Sequence, residues 1–282
     1  MSSKKVIWYP TFACNYDCSY CAARAVPFKH EQLLRDGLEQ WSRWLNQIGN
    51  CCDHFMLCIT GGEPTLIPWL PEVVKRTPSN TVFTIDTNVS QDLVDYLGES
   101  LARFQHINAS LHFHPSRPEA QIWLSRINRV REAFPQVAIT GTYVATQWPS
   151  EDELNATDRF IRSAGIASGR IPFFGKWLER REYKRKIAHV DCWGGATMLV
   201  AFPDGTLYRC IGQAYHAVTP MGNIAEDVAL IDGPRLCNDV ICTICDTDYD
   251  GNKLPVGDIQ HDILNVIPQK PFMVGTCSSP QN

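Results

Sequence analysis

Cys14, Cys18 and Cys21, in the run CNYDCSYC, set three thiols at the spacing C-x3-C-x2-C. Thiolates are the soft ligands that hold iron–sulfur clusters, and a four-iron cubane takes one ligand at each iron. A loop that supplies three leaves one iron open to a further molecule, an arrangement suited to catalysis. Zinc is the alternative chemistry, because three cysteines and a nearby histidine such as His30 would close a tetrahedral structural site. A disulfide is poorly served, since cysteines so close in sequence do not easily reach bonded geometry.

A second signal is Gly61-Gly62-Glu63-Pro64, directly after the apolar run FMLCIT. Two glycines at a strand end let the backbone approach a ligand closely, and Glu63 can accept a hydrogen bond from an ammonium group. Taken alone, the same four residues also make an ordinary strand end and turn.

The elements that must position these residues alternate through the first two thirds of the chain. Strands are expected over 6–12, 55–60, 82–86, 107–112, 137–144 and 170–174, and helices over 31–47, 68–75, 91–101, 120–133 and 151–163. Ser90 and Ser150 stand where helix-capping residues belong. Six βα units make a mostly parallel sheet with helices outside, so the fold class is α/β, a partial (β/α)6 TIM-like barrel. Chemistry in such sheets collects at the carboxyl ends of the strands, where the three cysteines fall. His112 and His114 fall at the end of the fourth strand and would share a face if that strand continued; exposed turn histidines are the plainer reading.

Beyond Phe174 the character changes. A Lys- and Arg-rich run over 176–186 reads as a solvated face or an anion-binding stretch, and ATMLVAF-PDG-TLYRC reads as a β-hairpin. The chain therefore divides into a barrel over 1–187, a small domain over 188–248 and a tail over 249–282. The small domain holds Cys192, Cys210, Cys237, Cys242 and Cys245, and Cys277 lies in the tail. Four cysteines in two loops also suit a structural zinc. Cys51, Cys52 and Cys58, beside the second strand, read as core residues.

Taken together, the cysteine loop and the Gly-Gly-Glu-Pro segment resemble the radical S-adenosylmethionine (radical SAM) superfamily over residues 4–175, with Tyr20 as the aromatic residue before the last cysteine. The resemblance implies a [4Fe–4S] cluster on Cys14, Cys18 and Cys21 whose fourth iron is chelated by S-adenosylmethionine. It implies that Gly61, Gly62 and Glu63 contact the SAM amino group, and that a 5′-deoxyadenosyl radical abstracts a substrate hydrogen atom. Asp86, Thr87 and Asn88, with Asn108 and Ser110, are candidates for the ribose and carboxylate of SAM. Thr87 and Asn88 read equally as caps of the following helix. The distal cysteines resemble a SPASM/twitch extension, with Cys192, Cys210, Cys242 and Cys245 holding an auxiliary [4Fe–4S] cluster. Cys237 and Cys277 are then the candidates for a hydrogen-atom donor, for a replacement ligand or for no chemical role.

The implied reactions are dehydrogenation or epimerisation of a small polyol or aminosugar-like intermediate, or modification of a ribosomally made peptide. A flavodoxin or ferredoxin would supply electrons. The first strand begins so near Met1 that a separate peptide-recognition domain is not expected before it. A net charge of −4 offers no basic field for nucleic acid, and no apolar run approaches the ~20 residues of a membrane span. With twelve cysteines and no export signal, a cytoplasmic protein with reduced thiols is expected.

Overall fold

A computed structural model describes residues 3–21, 34, 36–147, 150–171, 185–186, 190–192, 194–215, 220–226, 233, 235–237 and 241–242. The expected alternation is present: β1 (Ser3–Thr11), α1 (Gly37–Asn50), β2 (His54–Gly61), α2 (Leu70–Arg76), β3 (Thr81–Thr87), α3 (Leu93–Leu97), β4 (Phe104–Ser110), α4 (Pro118–Ala133), β5 (Ala138–Val144), α5 (Glu151–Ser163) and β6 (Ala167–Ile171). Strands β1 to β6 are parallel and stand in chain order. This is the α/β partial barrel expected of six βα units.

Element ends follow local chemistry. Ser150 opens α5 with a full capping box to Glu153. Asp92, not Ser90, caps α3, accepting from the amides of Val94 and Asp95. The helix expected to reach residue 101 stops at Leu97, because Gly98 takes φ +54° and the chain continues as a 3-10 turn. β4 ends at Ser110, so His112 and His114 are not on a strand and do not share a face.

Strand alternation gives the sheet two different sides. Val6, Trp8, Phe55, Leu57, Ile59, Phe83, Ile85, Ile107 and Ala109 face outward and join Trp41, Leu45, Ile48, Val73, Leu93, Trp123 and Ile127 of the helices in one core. Trp8 is fully buried, with Trp41 5.0 Å and Trp69 6.2 Å away between ring centroids. Gly141 of β5 lies under α5, where a Cβ would overlap the Ile161 side chain. The opposite, concave side carries Asp86, His106, Asn108, Ser110, Thr140 and Thr142, a polar lining on β3, β4 and β5.

The hairpin read from PDG is β9 (Met198–Ala201) and β10 (Thr206–Tyr208), and Gly205 turns it at φ +83°. β9 pairs in parallel with β1, and β10 and β11 (Gly222–Asn223) continue the edge, so the sheet has nine strands among the described residues. Met198, Val200, Phe202 and Tyr208 pack with Ile7 and Ala214 in a second core, which Tyr9, Phe12, Cys58 and Cys210 border. Ala214 belongs to α6 (Ile211–Tyr215). Two short ladders complete the described strands: β8 (Val190–Cys192) with β12 (Arg235–Cys237), and β7 (Arg185–Lys186) with β13 (Ile241–Cys242). Residues 172–174 of the expected sixth strand, 31–33 of the first helix and the 249–282 tail lie outside the described residues. Among the described residues, no helix is long and apolar enough to cross a membrane.

Two expected outcomes follow from this packing. Gly141→Ala should destabilise the fold by about 1–3 kcal/mol in urea unfolding, because α5 must move off the sheet to admit the methyl group. Burial lowers the pKa of His106, with Asp86 opposing the shift, while its Nε2 sits 2.9 Å from Thr140 Oγ1. The unfolded chain takes up this proton near pH 6.5 and the folded chain only at lower pH, so this contribution is complete above about pH 6.5 and is lost in acid. His106→Gln should flatten the fall of the urea midpoint below that pH.

Candidate active site

The loop after β1 is tied to the segment after β2 by backbone bonds. The amide of Gly62 donates to Thr11 O at 2.9 Å and that of Glu63 to Ala13 O at 2.8 Å. Gly61 holds φ +125°, and a Cβ on Gly62 would overlap the Ala13 carbonyl. Both glycines are therefore required where the two strand ends meet, in the left-handed backbone and close-approach roles that suit glycine.

Glu63 is bound within the chain at the meeting of these strand ends. Its side chain is fully buried, and its Oε1 accepts from Thr65 N (3.1 Å), Thr65 Oγ1 (2.6 Å) and Thr87 Oγ1 (2.8 Å). Oε2 accepts from the amide of Asn88 at 2.7 Å. The carboxylate that could have met an ammonium group is committed to four donors of its own chain. Thr87 and Asn88 do not cap the following helix, which Asp92 opens. They join the end of β3 to the end of β2, and Asn88 Nδ2 reaches onward to Asn15 Oδ1 (2.9 Å) and Cys14 Sγ (3.8 Å).

The backbone turns sharply just beyond. Val89 adopts φ +55°, the left-handed region in which a β-branched residue is strained. Three bonds hold it there: its amide donates to Thr87 Oγ1, and Arg126 of α4 donates to the carbonyls of Val89 and Ser90.

Cys14, Cys18 and Cys21 are free thiols on this loop, Cys14 exposed and the other two half-buried. Cys14 Sγ accepts from the amide of Tyr16 at 3.4 Å, and a turn closes from Cys21 N to Cys18 O at 3.1 Å. Burial pushes the Cys14 thiol up; the Tyr16 amide opposes this, and the negative charges of Glu63, Cys21 and Cys18 reinforce it. Burial also raises Cys18, against a hydrogen bond from Tyr20. Among the described residues, no three His, Cys, Asp or Glu side chains converge on a single-ion site. The donor set fits a thiolate-held iron–sulfur cluster: three soft sulfurs at the carboxyl end of a barrel strand, with N–H donors at Cys14 and a histidine nitrogen beside Cys18.

His112 enters this site although its strand has ended. Its Nδ1 lies 2.8 Å from Tyr20 Oη and 3.5 Å from Cys18 Sγ, and its ring stacks on Tyr20 and meets Tyr16 edge-on. Burial pushes its pKa down to about 4. Gln147, just after β5, donates to Tyr20 Oη and, at 3.2 Å, to His112 O. Sequence reasoning missed Gln147, for a lone glutamine after a strand has no motif around it. His114 points elsewhere and bonds Ser116.

Along the concave side, Asn108 Nδ2 donates to Asp86 Oδ1 at 2.9 Å, while Asn108 Oδ1 is buried without a hydrogen-bond partner among the described residues. Ser110 Oγ lies 3.5 Å from Thr142 Oγ1. Asp86 and the orphaned Asn108 oxygen are acceptors; they suit hydroxyl or ammonium groups and not a carboxylate.

The described members of the second cysteine set lie on separate elements. Cys192 and Cys237 belong to the paired strands β8 and β12, Cys242 faces Arg185 in the β7–β13 ladder, and Cys210 Sγ accepts from the Gln213 amide at 3.4 Å. Cys245 and Cys277 lie outside the described residues. Of the cysteines near β2, Cys52 is buried and donates to Ile48 O, Cys58 borders the second core, and Cys51 is exposed instead of packed.

The class these features define is an α/β partial barrel with a three-thiol loop at the carboxyl end of its first strand. Solved structures share this fold. SuiB of Streptococcus suis, bound to S-adenosylmethionine, matches with a TM-score of 0.58 at 17% identity, over 80% of this chain and 64% of SuiB. The protein anSMEcpe, with bound AdoMet and the Cp18Cys peptide, matches with a TM-score of 0.55 at 16% identity, over 80% of this chain and 78% of its own. A curated S-adenosylmethionine-dependent nucleotide dehydratase of Flammeovirga pacifica is 28% identical over 131 residues. That match spans 43% of this chain and 44% of the dehydratase. No protein-family model matches the chain.

Because the buried Glu63 carboxyl group accepts from Thr65 N, Thr65 Oγ1, Thr87 Oγ1 and Asn88 N, Glu63→Gln replaces an acceptor with an amide that must turn hydrogens toward other donors. The substitution should cost about 1–3 kcal/mol in urea unfolding, and Glu63→Asp, which keeps the charge on a shorter arm, should recover part of it.

Proposed function

We propose that this chain is a radical SAM enzyme: Cys14, Cys18 and Cys21 hold a [4Fe–4S] cluster, and the open iron takes S-adenosylmethionine. The observation that carries this reading is the joining of the three-thiol loop to the Gly61-Gly62-Glu63 segment by two backbone bonds at the carboxyl ends of β1 and β2. When bound, the cluster supplies the electron that cleaves S-adenosylmethionine to methionine and a 5′-deoxyadenosyl radical able to take a hydrogen atom from substrate. Two proteins that share the fold are described with that cosubstrate bound, and a partial relative is named as dependent on it.

The work of the chain is orientation and shielding. The glycines bring backbone against the cysteine loop, and Asn88 and the Tyr16 amide donate toward Cys14. The Trp8 face and its helices keep the outer side of the sheet dry. On the concave side Asp86 and Asn108 offer acceptors to hydroxyl or ammonium groups, which favours a small polyol or aminosugar-like substrate for dehydrogenation or epimerisation. In this reading Cys192, Cys210, Cys242 and Cys245 hold an auxiliary [4Fe–4S] cluster, a flavodoxin or ferredoxin supplies the electron, and Cys237 or Cys277 returns a hydrogen atom in the epimerising variant. Modification of a peptide is the second reading, and the peptide bound to anSMEcpe is what favours it.

Anaerobic reconstitution with iron and sulfide, followed by dithionite and S-adenosylmethionine, tests the proposal. Iron near eight per chain supports two cubanes, and near four supports the first alone. The triple variant Cys14→Ala/Cys18→Ala/Cys21→Ala should lose all 5′-deoxyadenosine formation, and bound zinc without any cleavage in the parent chain would sink the enzymatic reading. Deuterium passing from a labelled polyol, aminosugar, nucleotide or peptide into 5′-deoxyadenosine identifies the substrate class. Loss of two hydrogens, inversion of a centre, or loss of water then identifies the reaction.

A further inference from the structure

Around Cys18 the chain builds a hydrogen-bond chain from three separate elements. Gln147 begins it. Its Oε1 accepts from the amide of Val144 at 3.3 Å, which fixes the amide orientation and turns Nε2 toward Tyr20 Oη and His112 O. Tyr20 Oη, already accepting from Gln147, directs its own hydrogen away from it. The groups on that side are His112 Nδ1, 2.8 Å away, and the Cys18 sulfur, which lies 3.5 Å from the same nitrogen.

A cluster-bound cysteine is a thiolate and carries no hydrogen, so the sulfur can only accept. The lone pair of Nδ1 against that sulfur would be repulsive. Both groups are satisfied when the imidazole carries its hydrogen on Nδ1: the Tyr20 hydroxyl donates to the sulfur, and Nδ1–H fills the 2.8 Å contact with Tyr20 Oη while the sulfur, 3.5 Å away, shares it as a second acceptor. The neighbouring ring stack keeps Tyr20 and His112 in place, so the donors are oriented before any metal arrives.

We infer that Tyr20 and His112 donate hydrogen bonds to the Cys18 sulfur and thereby raise the reduction potential of the cluster, with Gln147 as the positioning residue that sets their direction. The inference rests on the cluster assignment proposed above. Its physical basis is that reduction adds negative charge to the cluster, and donors at the ligand sulfurs stabilise the reduced form more than the oxidised one. Cys14 has its own donors in the Tyr16 amide and Asn88, so the effect belongs to one ligand of the three.

The test is a potentiometric titration of the reconstituted full-length protein, read by electron paramagnetic resonance, with iron content measured on each sample. Tyr20→Phe keeps the ring and removes the hydroxyl; its midpoint potential should move to more negative values. His112→Leu should shift it in the same direction, and His112→Asn, whose amide nitrogen reaches the place of Nδ1, should restore much of the loss. Gln147→Leu touches no sulfur and should give a smaller shift of the same sign. If these variants bind iron as the parent does and all midpoints coincide with the parent's, the inference is overturned and the cluster assignment stands. If Tyr20→Phe and His112→Leu fail to hold iron, the His112→Asn and Gln147→Leu midpoints decide by the same criterion. A parent chain that binds no cluster overturns the assignment and the inference together.

Discussion

The site depends on one buried carboxylate. Glu63 has left water, at a cost that only good hydrogen bonding can offset, and each hydrogen bond to a charged group returns about 1.5–3 kcal/mol. Its donors come from the turn after β2 and from the end of β3, so the strand ends close on it. The strain at Val89 belongs to the same arrangement. The chain must turn abruptly for the Asn88 amide to face Glu63, and Arg126 stabilises the turn from α4. With β2 and β3 joined, the Gly61-Gly62 backbone becomes a fixed edge on which the cysteine loop can hang.

The same sheet serves two solvents. Its outer side is apolar and closed by helices. Its inner side mixes acceptors, hydroxyls and a neutral histidine, spaced two residues apart along each strand. Alternation alone produces this division, and it explains why Asn108 and Ile107, adjacent in sequence, belong to different chemistry. The polar side has capacity to spare, because Asn108 Oδ1 is out of water and has no partner among the described residues.

What the sequence reveals about this arrangement is what depends on near neighbours. Strands, helices and the PDG hairpin are readable because periodicity and turn residues act locally, and the capping box at Ser150 is an instance with every part within four residues. Gly98 shows the limit: a glycine inside a helical pattern is tolerated until the tertiary structure uses its positive φ. The role of Glu63 is not readable, since two of its donors lie 24 and 25 residues away and nothing about Thr87 or Asn88 announces their target. Gln147 is harder still, meeting Tyr20 across 127 residues. The parallel pairing of β9 with β1 has no local signature, since the two strands lie far apart in the chain.

That pairing has a consequence for how the molecule assembles. β1 is central in the finished sheet, yet the partner on one of its sides comes from residues 198–201, and its first bonds across that gap are Lys5 N to Thr197 O and Lys4 Nζ to Ala196 O. During synthesis the strand that carries the cysteine loop is therefore an open edge until most of the chain has been made. Closing so long a loop is entropically slow, and an unpaired apolar edge invites association with other chains. Chains truncated before β9 should thus be prone to aggregate through β1, and metal delivered to the nascent loop would meet it while one flank of its strand is still bare.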